Sequence, residues 1–144
     1  MLLRTLVSRL RIGGRAIQFG VLPFRRTEDG LQIMLVTSRS SGRWILPKGW
    51  HAHGLAPHLS AAKEAFEEAG LRGATSERSI GVFRHLKTGF RREVRVEIFP
   101  MEVTEQLDDW PERFQRRRQW FNVHQAALAV SNPSLRRVIG SFRP

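Results

Sequence analysis

The sequence predicts an α/β fold, a mixed β-sheet with helices on both of its faces. Three observations lead there. Apolar runs rich in β-branched and aromatic residues recur at residues 15–24, 31–37, 44–46, 79–86 and 93–103. Residues 58–69 carry a helical period instead, and two further helical stretches close the chain. Strands interspersed with helices in this way settle into layers around one sheet. At 144 residues the chain is long enough for a sizeable core, and a single domain spanning 1–144 is expected.

Residues 1–12 are basic, apolar and free of acids, and are expected to form a short, ordered or frayed terminus rather than a cleaved leader. A first strand follows from Arg15 to Phe24 and a second from Leu31 to Thr37; the turn Thr27-Glu28-Asp29-Gly30 makes them a hairpin. A polar loop, residues 38–43, leads to the short strand Trp44-Ile45-Leu46, and a long loop spans Lys48 to Pro57. After the helix at 58–69, strands at 79–86 and 93–103 flank a basic turn carrying Lys87, Arg91 and Arg92; Val94, Val96 and Ile98 alternate onto one face, as a hairpin strand requires. An acidic-aromatic connection, 102–114, precedes the basic run Arg116-Arg117-Arg118 and the pair Trp120-Phe121, which reads as core. Asn122 is an N-cap for a helix through about Val130; Ser131-Asn132-Pro133 breaks it, and a last helix runs to about Phe142.

The helix at 58–69 holds the main chemical signal. Pro57 suits its first turn, where a missing N–H is harmless, and Gly70 suits a left-handed cap. Leu59, Ala62, Phe66 and Ala69 form an apolar stripe, with Glu64, Glu67 and Glu68 expected roughly opposite. Lys63 stands four residues before Glu67 and can screen it. Three carboxylates spaced i, i+3, i+4 repel one another unless a cation offsets them. Such glutamates commonly do no more than solvate a helix. Here they follow an apolar run and a turn, Trp44-Ile45-Leu46-Pro47-Lys48-Gly49, and oxygen ligands of this kind suit Mg²⁺ beside a substrate's phosphates.

Bulk properties point the same way. Twenty-four Lys and Arg against thirteen Asp and Glu give a formal net charge of +11, which favours anionic partners: polyphosphates, with nucleic acid as a secondary possibility. There is no cysteine, which excludes disulfides and thiolate metal sites and fits a reducing compartment; a cytoplasmic location is expected. No run approaches the roughly 18 apolar residues of a membrane span. His51, His53 and His58 crowd the loop, but no fourth ligand stands at a zinc-like spacing.

Residues 49–71 resemble the box of the Nudix hydrolase family, matching it at Gly49, Glu64, Ala65, Glu67, Glu68, Gly70 and Leu71. Leu55 stands where the family has a Glu, and Lys63 where it has an Arg. The segments 105–110 and 116–121, with Ser38-Arg39 and Arg43-Trp44, look like the branch that acts on diphosphoinositol polyphosphates and diadenosine polyphosphates. The resemblance implies a Nudix α/β/α sandwich and hydrolysis of a phosphoanhydride. It implies Mg²⁺ or Mn²⁺ bound by Glu64, Glu68 and Glu67 with a main-chain carbonyl near Lys48 or Gly49, and a carboxylate base, assigned to Glu64. Arg15, Arg39, Arg43 and Lys48 are the expected phosphate clamps, with Lys87, Arg91 and Arg92 as further candidates. Leu55 removes a carboxylate that orients water in some relatives, so a non-hydrolytic nucleotide- or nucleic-acid-binding module stays open. So does pyrophosphate removal from RNA 5′ ends or nucleotide sugars.

Overall fold

The computed structural model describes residues 11–12, 15–86 and 93–144; the expectations for residues 1–10 and for Lys87, Arg91 and Arg92 lie outside them. The strands are β1 (Arg11–Ile12), β2 (Arg15–Thr27), β3 (Gly30–Thr37), β4 (Trp44–Ile45), β5 (Lys48–Trp50), β6 (Leu71–Thr75), β7 (Gly81–Leu86), β8 (Glu93–Gln106) and β9 (Arg118–Asn122). The helices are α1 (Pro57–Ala69), α2 (Val123–Ala129) and α3 (Pro133–Gly140). All the described strands join one mixed sheet, as expected.

Two long strands, β2 and β8, run parallel through its centre over Ala16–Phe24 and Val94–Glu102. On the outer edge of β8, β7 pairs with residues 93–98 and β6 with residues 101–106, both antiparallel. The other edge of β2 is shared. Residues 24–27 form the expected hairpin with β3, and residues 18–20 pair with β5. β3 therefore leaves β2 after Ile33, and its far end takes up β4, while β9 covers its other edge. The gap opened between β2 and β3 is where the segment 38–50 enters the sheet.

Period-two alternation divides the core. Leu22, Phe24, Ile33, Leu35, Val96 and Ile98 face α2 and α3, where Ala126, Leu135 and Ile139 meet them. Phe19, Val21, Met34, Val36, Phe99 and Met101 face α1 through Ala61, Ala65 and Ala69. Trp120 packs partly against the second layer and Phe121 against the first, in keeping with a core role for the pair. Asn122 caps α2, its side chain accepting from the Gln125 N–H at 2.8 Å.

Three expectations are corrected. Part of the loop after Pro47 is strand β5, because residues 48–50 complete the edge that β3 leaves. Leu71–Thr75, unassigned from sequence, is strand β6, held by pairing to β8 despite a register shift between Arg72 and Gly73. The apolar stripe on α1 is also rotated. Leu59 is exposed at 47%, whereas Ser60, Ala61, Ala65, Glu68 and Ala69 are buried. Small side chains let α1 lie close to the sheet, and that rotation carries Glu68 inward.

Candidate active site

Helix α1 begins at Pro57 and ends at Gly70, which has φ 64° and ψ 37°. Its last turn is held by the segment 107–118. The Glu67 carbonyl accepts from the Glu112 N–H at 3.0 Å, and the Gly70 carbonyl from the Leu107 N–H at 2.9 Å. The Glu68 carbonyl accepts from Trp110 Nε1 at 3.1 Å and the Ala69 carbonyl from Arg118 Nη1 at 2.7 Å. Arg118 also stacks on Trp110, 3.8 Å from the ring centre. Carbonyls left over at a helix end thus each gain a donor, one of them a cation placed favourably for the helix dipole.

This bracket fixes the acids. Glu68 is 5% exposed; its Oε2 accepts from the Lys48 N–H at 3.3 Å, and its Oε1 lies 3.2 Å from Arg116 Nη2. Arg116 in turn lies 3.2 Å, through Nε, from Glu112 Oε1, and donates to the Thr37 carbonyl at 3.0 Å. The Glu64 carboxylate rests against Gly49: a Cβ built there would overlap it. Glu67 points to Lys63 Nζ, 2.6 Å away, as the i, i+4 spacing predicts. The box loop is tied down by Ser60, whose Oγ accepts from the Ala52 N–H at 2.8 Å, and by His51, whose Nε2 donates to the Leu55 carbonyl at 2.7 Å. His51 therefore braces the backbone of the residue that replaces the box Glu.

Burial and mutual repulsion tune the two inner acids. Desolvation, then Glu67, raises Glu64 to about 7. Desolvation raises Glu68 to about 8, although Arg116 works against it. Both carboxylates thus favour a proton or a cation near neutral pH. That donor set suits a hard divalent ion. As arranged, no three His, Asp or Glu side chains among the described residues converge to hold a metal, because Glu67 turns to Lys63 and one oxygen of Glu68 is given to Arg116.

Glu64, Glu67, Glu68, Lys48, Gly49, Arg39 and Arg43 all line one cleft of about 1280 Å³. Arg39 is engaged there, 3.5 Å from Glu112 Oε1 and 3.1 Å from Gln115 Oε1. Arg15 opens β2 by its backbone, and its side chain lies outside the described residues. Sequence reasoning did not assign Glu112, Arg116, Gln18 or Trp50 to the cleft, although all four line it. Neither Arg116 nor Glu112 belongs to the box spacing: Glu112 lies in the acidic-aromatic connection 102–114, and Arg116 opens the basic run 116–118. A second cavity of about 590 Å³, lined mainly by apolar side chains near Phe24, Ile80 and Phe142, contains none of these groups. No helix among the described residues is long and apolar enough to cross a membrane.

The chain is similar to several known proteins. It is 34% identical over 107 residues to diphosphoinositol polyphosphate phosphohydrolase 3-alpha of Mus musculus, covering 73% of this chain and 63% of that protein. It is 31% identical over 118 residues to Nudix hydrolase 12, mitochondrial, of Arabidopsis thaliana, covering 78% and 58%. The chain therefore spans about six tenths of the length of these relatives. Its fold matches that of the C. elegans Ap4A hydrolase in a binary complex, with a TM-score of 0.68 at 16% identity, over 85% of this chain and 91% of that one. The NUDIX domain family model matches residues 14–142, and with the box helix, its glycine cap and the mixed sheet in place the chain belongs to the NUDIX domain family.

Proposed function

We propose that the chain is a metal-dependent pyrophosphohydrolase that cleaves a phosphoanhydride bond in a highly anionic substrate, a dinucleoside polyphosphate or an inositol pyrophosphate. One observation carries this reading: a single cleft is lined by both the Glu64 and Glu68 carboxylates and the cations Arg39, Arg43 and Lys48. Acids and cations sharing one cleft match a bound cation beside a polyphosphate. The described sheet and helices act as one domain, and the absence of cysteine suits the cytoplasm.

Once Glu67 turns away from Lys63, Glu64, Glu68 and Glu67, with the main-chain carbonyl at Gly49, are the groups that would hold Mg²⁺ or Mn²⁺. Such an ion neutralises charge on phosphoryl oxygens and acidifies water. The chain's own residues do the rest. Lys48 and Arg43 bind phosphate oxygens and orient the anhydride. Glu64 accepts the proton of the attacking water. The new P–O bond forms as the anhydride P–O bond breaks, and the leaving phosphate departs with its charge met by the rim cations.

The test is phosphate release, through a coupled phosphatase, from diadenosine polyphosphates, an inositol pyrophosphate, ADP-ribose and triphosphorylated RNA, with and without Mg²⁺ or Mn²⁺. Metal-dependent turnover that Glu68→Gln abolishes, in a protein that stays folded, is the expected result. A fully active, metal-independent Glu68→Gln protein would sink the assignment. A second reading, a non-hydrolytic nucleotide-binding module, draws on the Glu68–Arg116 ion pair and on Leu55. Ligand binding without turnover across the panel would favour it.

A further inference from the structure

The net charge of +11 is unevenly spread along the chain. Residues 1–27 hold six Arg and no acid, and residues 113–144 hold seven Arg and no acid. The stretch between them, 28–112, holds eleven Lys and Arg against thirteen acids, so the two end segments carry the whole positive excess.

The fold gathers the two acid-free segments on one side. α2 and α3 pack over the sheet face that carries Leu22 and Phe24 of β2, and Trp44 and Phe121 pack against the same layer. Arg117 lies there too, 5.5 Å over the Trp44 ring, which meets Phe121 edge-on. At the other end Arg26 lies over Phe24, and Phe24 meets Phe142, beside Arg143. Arg137 stands in the last turn of α3. Arg26, Arg117, Arg137 and Arg143 are all exposed. Among the described residues Arg117, Arg137 and Arg143 take part in no ion pair, and Arg26 has only Glu102 at 3.7 Å.

Helix ends explain some of these cations singly. Arg143 Nη1 donates to the Gly140 and Phe142 carbonyls, and Arg137 suits the negative end of α3. They do not explain the missing acids. An Asp or Glu in the first turn of α2 or α3 would be favoured by the helix dipole, yet neither helix has one.

We infer that the α2–α3 layer is a docking surface for a nucleic acid strand, held through its phosphate backbone. An uncompensated positive face concentrates a polyanion, and the arginine fork suits phosphate oxygens. On α2 and α3 the one exposed large apolar side chain is Leu128. With no ring there to stack a base, contact is to phosphates and does not depend on sequence. A membrane surface would need an apolar face to bury beside the charges, and one leucine does not supply it. The layer is long enough for several nucleotides, since β2 beneath it rises roughly 26 Å from Gln18 to Arg26. Val130 and Asn132, in the α2–α3 connection, line the cleft, so a docked strand starts beside it. The four arginines lie outside the cleft, and the surface stands whether or not the hydrolase reading does.

The test is fluorescence anisotropy of the full chain with a labelled, 5′-hydroxyl oligouridine of about 20 nucleotides, longer than the layer. Mg²⁺ and excess pyrophosphate are present to occupy the cleft. Binding is expected to persist and to weaken between about 50 and 200 mM salt, with a log–log slope of about −3 for four arginines. The triple variant Arg26→Gln, Arg137→Gln, Arg143→Gln should bind about tenfold or more weakly, its slope about two units shallower, with thermal unfolding and phosphate release unchanged. Gln125→Glu puts an acid in the first turn of α2. It should raise thermal stability and weaken RNA binding about threefold, a pairing that a purely structural role for the layer does not produce. No binding at the lowest salt, binding abolished by pyrophosphate, or binding untouched by both variants overturns the surface. Phosphatidylserine vesicles or polyglutamate bound as tightly as the RNA, with the same loss in the triple variant, overturn the nucleic acid and assign the layer to a membrane or an acidic protein.

Discussion

The Arg116 guanidinium lies 3.2 Å from Glu68 Oε1, with the two side chains only 7% and 6% exposed. Arg116 is also shared with Glu112 at 3.2 Å, so one buried cation serves two acids. This asymmetry predicts an order of stability. At about pH 9, where Glu68 is ionised, Arg116→Met strands two carboxylates and should cost about 3–5 kcal/mol, as breaking a buried pair from one side does. Glu68→Gln keeps Arg116 beside Glu112, keeps a carbonyl oxygen for the Lys48 N–H, and should cost about 1 kcal/mol. Urea denaturation of the two variants measures both; a Glu68→Gln protein less stable than Arg116→Met contradicts the shared-cation account.

The approach of Gly49 to Glu64 gives a second prediction. Any side chain at 49 would overlap the Glu64 carboxylate, so Gly49→Ala must push Glu64 aside or shift β5. Under the proposed function, a displacement of about 1 Å at a catalytic carboxylate lowers kcat on the order of 100-fold. Glu64→Gln in the same background should add little further loss, because the group is already misplaced. Independent, multiplicative losses in the double variant would show that Gly49 acts elsewhere.

Much of this site was legible in the sequence. Pro57 and Gly70 mark the ends of α1, Asn122 caps α2, and the alternation at Val94, Val96 and Ile98 sets one core face. The rotation of α1 was not legible. Ala61, Ala62, Ala65 and Ala69 are apolar wherever they face, so periodicity could not separate the buried row from Leu59 and Phe66. Nor could sequence show that Glu68 is buried, since its counter-cation arrives from Arg116, far along the chain and on no motif spacing. The alignment of Gln18 with Trp50, Val96 and Phe83 was not legible either, because that row exists only once four strands are in register.

The end of α1 offers a third prediction. Gly70 adopts a left-handed conformation, and a Cβ there would come within 2.9 Å of both Trp110 and Arg118. Gly70→Ala therefore meets backbone strain and a clash together, and should cost about 2 kcal/mol or more. Trp110→Phe removes the Nε1 donor to the Glu68 carbonyl and trims the ring beneath Arg118, and should cost at least about 1 kcal/mol. Hydrogen exchange of the α1 amides reads the local effect. Faster exchange confined to the last turn supports the bracket, whereas exchange unchanged in both variants removes it.

The raised acids predict how stability and metal response vary with pH. Glu64 at about 7 and Glu68 at about 8 in the folded chain both lie above their ordinary value of 4.5. Between those limits the folded state holds more protons than the unfolded one, so their contribution is fully present below about pH 4.5 and is lost as pH rises through 7 and 8. A divalent cation on the same carboxylates favours their ionised form and must displace those protons at low pH. The increase in Tm produced by Mg²⁺ should therefore be larger at about pH 8.5 than at about pH 5.5, measured against the chelated protein at each pH. The Glu64→Gln, Glu68→Gln double variant should lose both the Mg²⁺ increment and its pH dependence. An increment that is equal at the two pH values, or that survives in the double variant, would locate the cation elsewhere in the cleft.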